Sequence, residues 1–124
     1  MLSWPPTVKI FLGADPTDMR KGFDSLAHLV ESSMTLDPLS GHLFVFRSRR
    51  GDRIKILYWD ADGYVLWYKR LEKVSFRFPA AAAQGATKGV EVKAADLMMI
   101  LDGVDLSSVR RQRRYIRETV ENPR

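Results

Sequence analysis

The 124-residue sequence predicts an α+β fold in which two helices cover an antiparallel β-meander of four to six strands. The first observation is that apolar side chains alternate with period two in three successive segments, 42–47, 54–59 and 64–69. The second is that turn residues separate these segments: Gly51 stands where a tight hairpin needs positive φ, and Asp60 and Asp62 can form Asx turns before Gly63. The third is helical spacing of apolar residues before and after the meander.

Both faces of the predicted meander carry large apolar groups, so a covering layer is needed on at least one of them. A helix over 17–33 presents one apolar stripe, and Thr17 or Asp18 can cap its first turn. A second helix over 93–102 precedes Gly103, which suits a left-handed C-cap. These two helices are the predicted cover.

Three further short strands are predicted outside the meander core. Residues 8–12 alternate and end at Gly13, and residues 90–92 form a last short strand. Residues 74–78 extend the meander until Pro79, which lacks the N–H that a ladder needs. The sheet therefore has four to six strands.

The net charge of +5 is concentrated in two places. Residues 47–55 carry five basic side chains against one acidic, and residues 106–124 carry six against two, so the rest of the chain is negative. Clustered charge raises the local potential and favours binding of a polyanion. We divide the chain into a single α+β domain, 1–105, and a basic C-terminal helical extension or tail, 106–124, whose helix Asp105 would cap.

The basic hairpin between the first two meander strands is the best candidate for a functional site. Arginine side chains at a hairpin tip can bind phosphates with two hydrogen bonds each. Arg20 and Lys21, on the predicted first helical turn, either pair with Asp24 or contact DNA or a partner protein. The predicted nucleic-acid-binding residues are Arg47, Arg49, Arg50, Arg53, Lys55, Arg20, Lys21, Arg110, Arg111, Arg113 and Arg114.

Aromatic residues on the adjoining strands offer a second type of contact. If they face solvent they can stack on unpaired bases, and if they point inward they belong to the core, where each buries roughly 150–250 Å². We expect the arginines rather than the aromatics to make the contacts. The aromatic residues concerned are Tyr58, Trp59, Trp67 and Tyr68.

The residue types and motifs of the sequence give little support for a catalytic function. There is no cysteine, and neither His28 nor His42 has a second ligand at metal-binding spacing. We interpret Asp18, Asp52 and Asp60 as turn or helix-end residues rather than metal ligands. Neither a nucleophile elbow nor a glycine-rich phosphate loop occurs. We therefore expect no enzyme activity, no cofactor, no metal and no small-molecule substrate.

No apolar run is long enough to span a membrane, and the N terminus does not read as a signal peptide. We expect a cytoplasmic protein without membrane partners. The absence of cysteine agrees with that location.

Three sequence blocks occur in order along the chain: TDMRKGFD at 17–24, DPLSGHLFVF at 37–46 and RGDRIKILYWD at 50–60. They resemble TnpB accessory proteins, the second open reading frame products of insertion-sequence-66 bacterial elements. Residues 69–72 and 97–105 also fit. The resemblance implies a small protein that acts beside a separate acidic-triad transposase and has no chemistry of its own. Members end shortly after the equivalent of 102–105, so the extension from Leu106 is a departure to which the family lends no function.

Two hypotheses follow. In the first, this is a non-catalytic accessory factor that binds nucleic acid through the basic hairpin and assists the transposase, so DNA and the other proteins of the element are its partners. In the second, it is an interaction module that assembles the transposase through its sheet edge or its C-terminal tail and does not touch DNA.

Overall fold

A computed structural model describes residues 5–72 and 89–102, and the backbone of 104–105 and 110–111. A five-stranded sheet with strand order β4-β3-β2-β1-β5 forms its centre. The strands are β1 Ile10–Leu12, β2 Leu43–Arg47, β3 Arg53–Asp60, β4 Gly63–Arg70 and β5 Val90–Val92. The helices are α1 Phe23–Leu29, continued by a π-helical turn at Val30–Met34, and α2 Ala94–Leu101.

The predicted meander is confirmed. Strands β2, β3 and β4 pair antiparallel in chain order, and β5 pairs antiparallel with β1. The sequence did not indicate that β1 and β2 run parallel, a pairing for which α1 provides the crossover connection. The α+β fold class therefore holds, with one parallel pair in a mostly antiparallel sheet.

The two helices contribute to separate apolar clusters because side chains alternate between the faces of a strand. Leu26 and Val30 pack with Phe44, Phe46 and Leu57 in the α1 cluster. In the other cluster, the buried side chains of α2 pack against the strand side chains on the opposite face of the sheet. These α2 and sheet residues are Leu97, Ile100, Leu101, Ile10, Leu12, Leu43, Val45, Ile54 and Ile56. The helices therefore cover both faces of the sheet.

The prediction that the first helix starts at Thr17 or Asp18 is wrong. Residues 18–21 form a turn instead, in which the Asp18 carboxylate accepts from the Arg20 N–H at 2.9 Å and the Lys21 N–H donates to the Asp18 carbonyl at 3.1 Å. An aspartate that bonds its own neighbouring backbone in this way competes with helix formation. The helix therefore begins at Phe23, after Gly22, and Arg20 and Lys21 do not lie on its first turn.

Both predicted hairpin turns are present, and they differ in which residue has positive φ. Gly51 has φ of +77°, as the first turn requires. In the second turn the positive φ of +54° falls on Ala61, and Gly63 is the first residue of β4. The two-residue loop between Asp60 and Gly63 places the left-handed position earlier than the glycine.

The second predicted helix is confirmed, with Lys93 at its N-cap and Asp102 at its C-cap. Residues 104–105 and 110–111 form a two-stranded antiparallel ladder, so these positions are extended where the sequence predicts a helix capped by Asp105. The predicted strand 74–78, Gly103 and the rest of 106–124 lie outside the described residues.

Candidate nucleic-acid interface

The turn between β2 and β3 is held by its own hydrogen bonds. The Gly51 N–H donates to the Ser48 carbonyl at 3.0 Å, which closes the turn. The buried hydroxyl of Ser48 donates to the Asp52 carboxylate and accepts from the Arg53 N–H, both at 3.1 Å. Because the backbone is fixed in this way, the side chains at the tip start from a defined position.

Arg49 and Arg50 occupy the tip of this turn and both are exposed. Arg53 follows at the first position of β3, partly buried, and its cross-strand partner is Arg70, the last residue of β4. Sequence analysis missed Arg70. Counting the β3–β4 register back from the Asp60–Gly63 pair would have found it, because each step away from that turn pairs one residue of each strand.

Arg20 reaches the same end of the molecule from a third segment. The Thr17 N–H donates to the Arg47 carbonyl at 2.8 Å, which ties residues 17–20 to the end of β2. A shallow cleft of about 320 Å³ lies between this segment and the hairpin, with Arg20 on one side and Arg49, Arg50 and Arg53 on the other. We call the exposed end formed by these four residues and their neighbour the arginine surface: Arg20, Arg49, Arg50, Arg53 and Arg70.

Arg20 and Arg70 each pair with a carboxylate. The Arg20 guanidinium bonds both oxygens of Asp18 at 2.8–3.1 Å, and its side chain is 91% exposed. The hydrogen bond from the Arg20 side chain holds the pKa of Asp18 well below its ordinary value, and the same bond raises the pKa of Arg20. Arg70 pairs with Glu72 at 2.9 Å, which raises the pKa of Arg70. Both pairs are exposed, so water and salt weaken them.

Three of the predicted contact residues are placed elsewhere. Lys55 is buried, and its ammonium donates to the carbonyls of Met19 and Lys21 at 2.7 and 2.8 Å. The Arg47 side chain is partly buried and donates to the Ala14 carbonyl at 2.8 Å. Lys21 lines a separate cleft of about 250 Å³ between the 13–18 loop and α1. None of the three joins the arginine surface.

The opposite end of the sheet carries acidic side chains. Asp60 ends β3 and Asp62 lies in the exposed β3–β4 turn, while Asp24 lies on α1 and Glu31 on the π-helical turn that follows it. Burial raises the pKa of Tyr64 on β4, and the charges of Glu31, Asp24 and Asp37 add to that shift. The described part of the molecule therefore has a basic end at the β2–β3 turn, and negative charge on α1, on its π-helical continuation and at the β3–β4 turn.

A family model described as IS66 Orf2-like protein, TnpB_IS66, matches residues 8–111. The chain belongs to this family. Two relatives from Sinorhizobium fredii (strain NBRC 101917 / NGR234) are similar to it over 105 residues. The uncharacterized protein y4hO is 39% identical, over 85% of this chain and 88% of the relative. The uncharacterized protein y4jC is 34% identical, over 85% and 86% respectively. No solved structure matches significantly.

The family match covers the first part of the arginine-rich extension of this IS66 Orf2-like protein. The matched region runs past Asp105 to Arg111, so it includes Arg110 and Arg111, which form the short ladder with 104–105. The side chains of these two residues, and all of Arg113 and Arg114, lie outside what the structure describes. Their predicted role in binding nucleic acid remains a prediction.

The family is that of an accessory open reading frame and is not a known catalytic family. Among the described residues, no group of three or more His, Cys, Asp or Glu side chains is arranged to hold a metal ion. A membrane-crossing helix is also absent from that part of the chain.

Proposed function

We propose that this IS66 Orf2-like protein is a non-catalytic accessory factor of insertion-sequence transposition that binds the nucleic-acid backbone through its arginine surface. The observation that supports the proposal is that arginines from separate segments lie close together. Three segments far apart in sequence, the 17–20 segment, the β2–β3 turn and the end of β4, bring five arginines to one end of the molecule. A surface that merely needs charge for solubility does not require such clustering.

The chemistry of the guanidinium group supports a phosphate ligand. Its planar array of donors matches two phosphate oxygens, and it stays protonated at every physiological pH. Arg49 and Arg50 stand on a turn whose backbone is already fixed by Ser48 and Gly51, so little backbone ordering accompanies binding. Phosphates that approach the tip also meet Arg53 and Arg20 across the shallow cleft.

Family membership supports the accessory role, in which a separate transposase performs the chemistry and this protein assists it. Transposase and DNA are the proposed partners. The proposed contact residues are those of the arginine surface. Arg110, Arg111, Arg113 and Arg114 are proposed as further contacts. Lys21, Lys55 and Arg47 are left out because their side chains line another cleft or bond backbone carbonyls.

A salt titration tests the proposal. Labelled duplex and single-stranded DNA are titrated with the full-length protein at several salt concentrations, and log affinity is plotted against log salt. Each phosphate neutralised on duplex DNA contributes a slope of about −0.9. We expect a steep slope that becomes shallower in Arg49→Glu and in Arg50→Glu.

Lys9→Glu is the matched control because it makes the same charge change on an exposed side chain at the far end of β1. It should change affinity much less than Arg50→Glu does. Arg113→Glu/Arg114→Glu reports on the extension. A flat salt response, or equal effects of Lys9→Glu and Arg50→Glu, would contradict binding at the arginine surface.

The second candidate is an interaction module that assembles the transposase without contacting DNA. The eight-residue strand β4 favours it, because β4 is an edge of the described sheet and an edge strand presents backbone groups to a partner. Under this alternative, Arg50→Glu leaves DNA affinity unchanged yet weakens co-purification with the transposase.

A further inference from the structure

Tyr68 lies beside the arginine surface and is 49% exposed. It is two positions from Arg70 on β4, so the two side chains leave the strand on the same face. Their cross-strand partners on β3 are Lys55 and Arg53, which share that face. Tyr68, Arg53, Arg70 and Glu72 together line a shallow cleft of about 330 Å³.

The Tyr68 ring is supported from inside the protein. The Lys55 ammonium lies 4.6 Å from the ring centroid, and two backbone carbonyls hold that ammonium in place. A cation at this distance attracts the electron-rich face of an aromatic ring. The interior thus holds one side of the ring, and the exposed half is directed to solvent among arginines.

The other meander aromatics have different surroundings. The Trp59 and Tyr64 rings meet edge to face at 5.1 Å, and Tyr58 and Trp67 pack against the α2 cluster. All four are less exposed than Tyr68. Among the meander aromatics that the structure describes, Tyr68 is therefore the one with the most surface to offer a ligand.

A flat ring among guanidinium groups has the features of a platform for single-stranded nucleic acid. In a duplex the faces of the bases are covered by their neighbours, so a side chain reaches a base face without unstacking it only where the strand is unpaired. Base stacking on an aromatic side chain tolerates any sequence, while nearby arginines neutralise the backbone. Residues two apart on a strand are separated by about 7 Å, so Arg70 is within reach of a phosphate next to a base stacked on Tyr68.

We propose that the arginine surface takes an unpaired strand and that one of its bases stacks on Tyr68. This inference rests on the proposed function, since it names the strand type that the same surface prefers.

The test compares a single-stranded oligothymidine with a duplex of equal length in fluorescence anisotropy titrations of the full-length protein. Tyr68→Ala and Tyr68→Leu remove the ring, and Tyr68→Phe keeps it. We expect the first two variants to lose about 5- to 150-fold in affinity for the single strand, with little change for the duplex. Tyr68→Phe should bind the single strand like the unmodified protein.

Leu39→Ala is the control, because Leu39 is 53% exposed and lies in the loop before β2, away from the clefts of the arginine surface. Leucine at position 68 retains bulk, so it separates loss of the ring from loss of packing. Single-strand binding that survives both Tyr68→Ala and Tyr68→Leu would overturn the inference. Equal losses for both probes, or a loss in Tyr68→Phe as large as in Tyr68→Ala, would overturn it as well.

Arg50→Glu separates this inference from the proposed function. If Arg50→Glu weakens both probes while the Tyr68 variants weaken neither, backbone binding stands and stacking is wrong. If Arg50→Glu weakens neither probe, the arginine surface is not the site, and both proposals fail together.

Discussion

The Lys55 ammonium donates a 2.7 Å hydrogen bond to the Met19 carbonyl, which joins the middle of β3 to a turn 36 positions earlier in the chain. The ammonium donates a second hydrogen bond of 2.8 Å to the Lys21 carbonyl, which is in the same turn on the other side of Arg20. The side chain that looked like a phosphate ligand in the sequence therefore positions another residue. It holds the turn that places Arg20 beside the β2–β3 hairpin.

The first prediction concerns this buried ammonium. Lys55→Met keeps an unbranched side chain, one heavy atom shorter, and leaves the Met19 and Lys21 carbonyls without their donor. An unsatisfied buried polar group costs about 1–3 kcal/mol. We expect a comparable decrease in the free energy of unfolding, measured by urea denaturation, and weaker DNA binding because the Arg20 turn is released.

Lys9→Met is the control for Lys55→Met, since the Lys9 residue is exposed. It should leave the free energy of unfolding within about 0.5 kcal/mol of the original value. A Lys55→Met protein that is as stable as the unmodified chain would contradict a positioning role for Lys55.

The second prediction concerns the neutralisation of Arg20 by Asp18. Asp18→Asn keeps a carbonyl oxygen for the Arg20 N–H and removes the negative charge. Because one more cation then acts on the backbone, the proposed function predicts tighter DNA binding at low salt and a log–log salt slope steeper by about 0.9. Asp24→Asn makes the same charge change on α1 and should leave the slope nearly unchanged. Equal effects of the two substitutions would argue against an Arg20 contact.

The third prediction concerns acid titration of Asp18. Its pKa lies below the ordinary 3.8 because the Arg20 side chain, and next the Arg20 N–H, donate to the charged form. A depressed folded-state pKa means that the contribution to stability is present above 3.8 and is lost as the pH falls through the folded value. NMR of the carboxyl carbons should show Asp18 titrating below the ordinary pKa of 3.8. Titration of Asp18 at the ordinary value would show that the pair does not persist in solution.

The fold was largely predictable because the meander has a strong period-two signal and short hairpin turns. The parallel pairing of β1 with β2 could not be predicted, because the sequence of a three-residue strand does not indicate which strand it pairs with. The first helix was predicted too early because Asp18 suits either an N-cap or a turn, and only its bonds to Arg20 and Lys21 decide between them.

The candidate site was predictable in part, for reasons that differ between residues. Arg49 and Arg50 follow from the turn position alone. Arg70 follows only from the β3–β4 register, and Arg20 only from the tertiary contact between the 17–20 segment and the hairpin. Lys55 alternates with Ile54 and Ile56 along β3, so its position on the strand does not reveal whether its face is covered at that point.

The last prediction concerns the strained position in the β3–β4 turn. Ala61 has φ of +54°, in a region that costs a residue with a Cβ about 1–2 kcal/mol. Ala61→Gly removes that cost, but the extra freedom of glycine in the unfolded chain opposes folding by about 0.4–1 kcal/mol. We therefore expect the free energy of unfolding, measured by urea denaturation, to rise by up to about 1.5 kcal/mol. Ala27→Gly, inside α1, should instead lose about 1 kcal/mol. An Ala61→Gly protein less stable than the original would mean that the turn adopts another conformation in solution.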